Sequence, residues 1–169
     1  MNRFDIDYAE GMHPQILKRL QETNDEQTAG YGKDPYCESA RQKIKKACGR
    51  DDIDVHFMVG GTQANVTVIA HLLRPYQGAL SATTGHIHTH ETGALEATGH
   101  KILLLDHQDG KLSAESIRTY MEDYLALPNP EHKVEPKLVY LSQSTELGTL
   151  YSKEELKEIH ELCQEYGLY

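Results

Sequence analysis

The chain has 169 residues, long enough for one domain with a buried core, yet only 38% are hydrophobic, 7% are aromatic and none is Trp. A formal net charge of −9 argues against a nucleic-acid or anionic-membrane partner, and the longest apolar run falls far short of a bilayer span. The low apolar share fits either a polar domain with a modest core or a domain whose core is completed by polypeptide outside this sequence.

The elements follow in chain order. Asp5-Ile6-Asp7-Tyr8-Ala9-Glu10-Gly11 reads as an irregular arm. A helix comes next, with Ile16, Leu17 and Leu20 on one face. Gln27-Thr28-Ala29-Gly30-Tyr31-Gly32-Lys33-Asp34-Pro35 is a loop, its Pro35 suited to the first turn of a second helix that runs to about Cys48 and stops at Gly49;. The basic cluster Arg41-Gln42-Lys43-Ile44-Lys45-Lys46 reads as the solvated face of that helix;. Strands and helices then alternate. A strand is expected over residues 55–59, a helix from Thr62 to near Arg74-Pro75, and a short strand over 78–82. A helix over 89–97 and a buried strand over 101–105 come next. Asp109-Gly110 marks a hairpin-like turn, and Ser113 caps a helix striped by Ile117, Met121 and Tyr124;. Pro128-Asn129-Pro130 breaks that helix, and a strand is expected over 138–141. Ser152-Lys153-Glu154-Glu155 is a capping box that opens a last helix, with Leu156, Ile159, Leu162 and Cys163 facing inward;. Leu168-Tyr169 reads as the beginning of a further strand, so the chain is expected to be the front part of a longer protein. The alternation predicts an α/β fold of three layers, α/β/α, around a mostly parallel sheet.

Two features carry chemistry. Gly60-Gly61-Thr62-Gln63-Ala64-Asn65 stands between the expected strand at 55–59 and the helix after it. A glycine turn into a helix N-terminus offers free backbone N–H groups and the positive end of a helix dipole, an arrangement suited to a phosphate. The second feature is Gly85-His86-Ile87-His88-Thr89-His90-Glu91. As a period-two strand it would put His86, His88 and His90 on one face, a plausible metal site. As a loop entering a helix it would aim only His86 into a site, where the imidazole could lie flat on an aromatic cofactor. As a surface segment it would do neither. The helix pattern that follows scatters the three imidazoles and weakens the metal reading, which would make the protein a metal-dependent hydrolase; no metal ligands are assigned. The phosphate cup and His86 fall at successive strand ends, the edge where open α/β sheets bind ligands. A ligand with a phosphate at one side and a flat ring at the other would span them, and pyridoxal 5′-phosphate (PLP) has that shape. Cys37, Cys48 and Cys163 are odd in number and far apart, with no CxxC pair and no recognisable signal peptide, so they read as reduced thiols of a cytoplasmic protein;.

The chain resembles the front half of the low-specificity threonine aldolases, within the aromatic amino acid beta-eliminating lyase/threonine aldolase group. The resemblance rests on Asp7-Tyr8 with Glu10-Gly11 and His13-Pro14, on Tyr31-Gly32-Lys33-Asp34-Pro35, on Gly61-Thr62-Gln63-Ala64-Asn65, and on Gly85-His86-Ile87 with Glu91-Thr92-Gly93-Ala94. It implies the PLP-dependent transferase fold (aspartate aminotransferase fold type I), with residues 1–50 as an arm and helices and residues 51–169 as the front of the PLP-binding major domain. It also implies cleavage of threonine or another β-hydroxy amino acid to glycine and an aldehyde; β-elimination and a non-catalytic fragment are the alternatives. By the same resemblance, Gly61 and Thr62 bind the PLP phosphate, and His86 stacks on the ring near the substrate hydroxyl. Asp7, Tyr8, Tyr31 and Glu91 line the substrate side, Tyr31 across a subunit boundary of a homodimer or homotetramer. Where many relatives carry Glu-Asn-Thr-His, this chain has Ser142-Gln143-Ser144-Thr145-Glu146. The Schiff-base Lys and the Asp that pairs with the pyridine nitrogen are expected past Tyr169, so this chain alone is expected to be inactive.

Overall fold

The computed structural model describes residue 6 and residues 8–169. Asp7, one of the expected substrate-side residues, lies outside the described residues. The chain divides into two compact units, Met1–Phe57 and Met58–Tyr169. Among the described residues, no helix is long and apolar enough to cross a membrane.

The first unit holds α1 (Pro14–Thr23) and α2 (Pro35–Cys48). Asp34 caps α2 by accepting the Cys37 N–H at 2.8 Å, Pro35 occupies the first turn, and Gly49 ends the helix at φ 63°;. The apolar stripe of α1 is present but unburied: Ile16, Leu17 and Leu20 are each about half exposed. Arg41 departs from the solvated-face expectation. Its guanidinium donates to Gly32 O at 2.6 Å and Val55 O at 3.3 Å and lies over the Phe57 ring. It ties the loop before α2 to the segment after it, because a planar fork can serve several carbonyls at once.

The strand expected over 55–59 does not form; those residues run as irregular chain. A strand exists only with a neighbour, and no strand pairs with this segment among the described residues;. Its side chains are accordingly open, with Val59 97% exposed.

The second unit contains α3 (Gly61–Leu72), β1 (Gln77–Ala82), α4 (His86–Thr89), β2 (Lys101–Leu105), α5 (Ala114–Leu125), β3 (Glu135–Val139) and α6 (Lys153–Tyr166). The three strands form a parallel sheet in the order β2-β1-β3. Every residue of β1 is buried, as befits a central strand covered on both faces;. The period of two sends alternate side chains to opposite layers. Leu80, Ala82, Leu103 and Leu105 pack with Ile117 and Met121 of α5 and Ile159, Leu162 and Cys163 of α6. Ala79, Ile102 and Leu138 pack with Ile69 of α3, Ile87 of α4 and Leu95. Two separate cores on the two faces of one sheet make the expected three layers. Leu104, expected in a buried strand, is 40% exposed because β2 is an edge.

Local signals account for most boundaries. Ser113 caps α5, accepting the Ser116 N–H at 3.0 Å. The Ser152–Glu155 box opens α6, and Gly167 closes it at φ 64°. Asp109 and Gly110 both take positive φ, forming a tight turn between Gln108 and Lys111;. Leu156, expected to face inward, is exposed; it sits in the first turn of α6, ahead of the buried stripe that begins at Ile159. The last strand starts at Glu135 rather than 138, because pairing with β1 already begins at Gln77↔Glu135; a register shift between Gly78 and Ala79 accommodates Pro136;. Beyond β3, the Tyr169 N–H donates to Lys137 O at 2.9 Å and the Val139 N–H to Tyr169 O at 2.8 Å. Tyr169 thus pairs with the outer edge of β3, as the strand expectation for Leu168-Tyr169 requires.

The helix expected over 89–97 is replaced by the short α4, an irregular stretch and a 3-10 turn at Glu96–Thr98. Thr92 and Gly93 take φ of 51° and 73°, which no right-handed helix contains;. The turn off β1 is tight: a Cβ on Gly85 would lie 2.1 Å from Ser81 Oγ.

Candidate active site

At the carboxyl end of β1 the chain turns through Gly85 into α4, and His86 takes the first helical position. Five residues later Glu91 folds back under it. The Glu91 side chain is fully buried, and its Oε1 lies 3.0 Å from His86 Nδ1. The same oxygen accepts from Asn65 Nδ2 at 2.7 Å. Glu91 Oε2 is buried and has no partner among the described residues. The Glu91 carboxyl group meets the imidazole at Nδ1 and is bonded from α3 as well.

Asn65 sits one turn inside α3, on the same face as Gly61 and Thr62, because residues three and four apart share a helix face. Two hydrogen bonds through one oxygen thus connect the first turn of α3 to His86. Gly60 precedes that helix in an extended conformation, and no side chain caps it. Gln63 turns the other way, accepting the Val59 N–H at 3.0 Å. The leading N–H groups of α3 are left to whatever approaches the helix axis. Cβ atoms added at Gly60 or Gly61 would meet nothing within 4 Å, and neither residue has a positive φ. Packing among the described residues does not call for glycine there.

The His86 side chain is 45% exposed, and its ring lies 5.4 Å from that of His90, tilted by 52°. His88 and His90 are exposed. The period-two strand that would have aligned the three imidazoles is absent, since the segment is a helix with its cap. Among the described residues no three His, Cys, Asp or Glu side chains gather as metal ligands.

Tyr140, which follows β3, belongs to no motif of the sequence. Burial, first of all, pushes its phenol above the ordinary value of 10.0, with the Glu91 and Glu146 carboxylates adding to the rise and hydrogen bonds from Ser142 and Asn65 opposing it. Ser142 in turn donates to Glu146 Oε1 at 2.6 Å. The segment that departs from the familiar motif therefore reaches the same cluster through Tyr140. The position of Tyr140 just past a strand end was the available signal; for Asn65 it was the spacing of three from Thr62. Tyr8 and Tyr31 belong to the Met1–Phe57 unit, and both side chains are exposed. Tyr31 holds a φ of 61°, uncommon for a non-glycine residue;.

Residues 11–169 match the beta-eliminating lyase family. The chain is 34% identical over 170 residues to the low specificity L-threonine aldolase of Pseudomonas aeruginosa, an alignment that covers 99% of this chain and 47% of that protein. It is 31% identical over 169 residues to the low specificity L-threonine aldolase of a Pseudomonas species, covering 98% and 47%. The chain thus spans about half the length of the curated relatives it matches. Among solved structures, a Leishmania major threonine aldolase superposes with a TM-score of 0.91 at 46% identity, over 96% of this chain and 46% of that one. An archaeal alanine:glyoxylate aminotransferase, at 20% identity over 91% of this chain and 38% of that one, shares the fold with a TM-score of 0.67. The three-layer sheet is that of the PLP-dependent transferases of aspartate aminotransferase fold type I.

Proposed function

This chain belongs to the beta-eliminating lyase family, and from that premise we propose that it supplies the phosphate and ring-stacking side of a pyridoxal 5′-phosphate site in an aldehyde lyase. The substrate is threonine or another β-hydroxy amino acid, and the products are glycine and an aldehyde. The observation that carries the reading is the single Glu91 oxygen shared by Asn65 and His86, which binds the uncapped end of α3 to the imidazole.

The residues present fit the cofactor. The open space over Gly60 and Gly61 leaves room for an anion against bare backbone;. Gly61 and Thr62 would hold the phosphate through their N–H groups and the Thr62 hydroxyl. His86 would stack on the ring. The bound cofactor supplies an electron sink for the pair released at Cα. His86 takes the proton of the substrate's β-hydroxyl, a general-base role to which an imidazole is suited. Asp7, Tyr8 and Tyr31 are assigned to the substrate side, with Tyr31 acting across the subunit boundary of a homodimer or homotetramer in the cytoplasm. The Schiff-base Lys and the Asp for the pyridine nitrogen are assigned to the part of the longer relatives that this chain does not span. Residues 51–169 are assigned to the major domain.

The test uses full-length protein loaded with PLP and offered threonine. Glycine and acetaldehyde are the expected products, and pyruvate or 2-oxobutanoate in their place would mean elimination. His86→Ala is expected to lower aldehyde release by about 100-fold or more; unchanged turnover removes His86 from the reaction.

A further inference from the structure

We propose that Asn65 and Glu91 are positioning residues that hold His86 as its Nδ1–H tautomer, so that Nε2 is the atom that receives the substrate's proton. The inference rests on the aldehyde-lyase reading above and deepens it.

Three observations converge. First, Glu91 Oε1 is already an acceptor, taking the Asn65 amide at 2.7 Å. A carboxyl oxygen that accepts the Asn65 N–H offers its second lone pair to the His86 nitrogen 3.0 Å away, which is thereby the nitrogen that carries hydrogen;. A neutral imidazole has one N–H, and the other nitrogen is then a free acceptor. Second, the two ends of the ring differ in surroundings. Nδ1 faces a carboxylate that is wholly buried, while the side chain as a whole is 45% exposed and Nε2 has no protein partner among the described residues. Third, the carboxylate is held by a second element. Asn65 comes from α3, a different element, so Glu91 cannot swing away with α4 alone.

The proton step balances without further reactants. The hydroxyl O–H bond breaks, its electron pair stays on oxygen, and the proton joins the Nε2 lone pair to give an imidazolium. The positive charge then lies against the Glu91 carboxylate, which is in place before the reaction begins. Glu91 does not itself take the proton, and neither Glu91 nor Asn65 needs to touch the substrate.

The test is nitrogen-15 NMR of histidine-labelled full-length protein, first without cofactor, read from the long-range couplings of the His86 ring. The expected result is a protonated Nδ1 and an unprotonated Nε2. A ring with its hydrogen on Nε2 overturns the inference, whatever the activity. This measurement needs no variant and so is immune to misfolding of one. In Glu91→Gln the amide oxygen takes the Oε1 place beside Asn65, so the same tautomer is expected with the carboxylate charge removed;. In the PLP-loaded enzyme the same change is expected to lower kcat about 10-fold or more and to leave KM within about threefold, the mark of a group that matters only as charge develops. A KM effect alone, with kcat unchanged, would overturn the inference. If the ring has the expected tautomer and the loaded protein releases no aldehyde from any β-hydroxy amino acid, the proposed function fails while the positioning of His86 stands.

Discussion

Replacing Gly85 with alanine tests how the fold delivers His86 to the site. The φ of Gly85 is −56°, which alanine adopts without strain, so backbone conformation does not require glycine;. Taken alone, that change would stabilise by about 0.4–1 kcal/mol by restricting the unfolded chain. The packing says otherwise. The new Cβ would lie 2.1 Å from Ser81 Oγ and 3.0 Å from Ala82 O. Ser81 is completely buried and its hydroxyl donates to Ala82 O at 3.2 Å. The hydroxyl must rotate away and lose that bond, or the turn must move; either costs about 1–3 kcal/mol. The net expectation is a loss of about 1–2 kcal/mol in urea unfolding. The double mutant separates the causes. With Ser81→Ala in place the nearest side-chain atom is the Cβ at 3.5 Å and only the tight 3.0 Å approach to the Ala82 O remains, so adding Gly85→Ala is expected to cost clearly less than it does in the wild type. A coupling of about 1 kcal/mol or more is therefore predicted between the two sites. Additive effects would refute the argument that Ser81 dictates glycine at the entry to α4.

Gly61→Val is expected to leave the unfolding midpoint nearly unchanged, since its Cβ meets nothing within 4 Å, and to abolish the visible absorbance of bound PLP in the full-length protein; undiminished cofactor binding would exclude a phosphate at that backbone. Lys111 Nζ lies 2.5 Å from Glu155 Oε1 and holds that carboxyl below its ordinary value of 4.5. A depressed folded-state value gives stability that is fully present above 4.5 and lost as the pH falls below it;. Glu155→Gln keeps the acceptor needed by the capping box, so the gap in urea midpoint from wild type should shrink on acidification below that value; a constant gap would deny the Lys111 pair its role. Cys48 is exposed, whereas burial pushes the Cys163 thiol up. Iodoacetamide followed by mass spectrometry should therefore mark Cys48 in the folded chain and Cys163 only on unfolding.

The parts of this fold that could be read in the sequence are those decided within a few residues. Ser113 and Ser152 open helices because a hydroxyl satisfies an N–H three positions on, whatever surrounds it;. Gly49 and Gly167 end helices for the same local kind of reason, a left-handed residue that relieves the last turn;. The strand expected at 55–59 failed because its apolar pattern records only one partner of a pairing;. The helix expected over 89–97 is interrupted at Thr92 and Gly93, which take positive φ, and beside them Glu91 is bonded to Asn65, a partner outside the segment. In both cases the deciding contact is absent from the segment itself.

The same division runs through the site. The glycine turn at 60–61 and the histidine after Gly85 could be noticed because each belongs to a compact motif. Asn65 and Tyr140 could not be given roles, because a helix asparagine and a strand-end tyrosine gain meaning only from the buried Glu91, which bonds Asn65 and the imidazole and whose charge acts on the Tyr140 phenol. A fully buried carboxyl group with one oxygen unpartnered is a cost to stability of about 1–3 kcal/mol, and more if charged;. Helix packing does not explain it, since Ile87 and Leu95 already fill the core beneath α4. The cost makes sense if the group is there to act on His86, and that makes Glu91, rather than the more conspicuous run of histidines, the residue around which this edge of the sheet is organised.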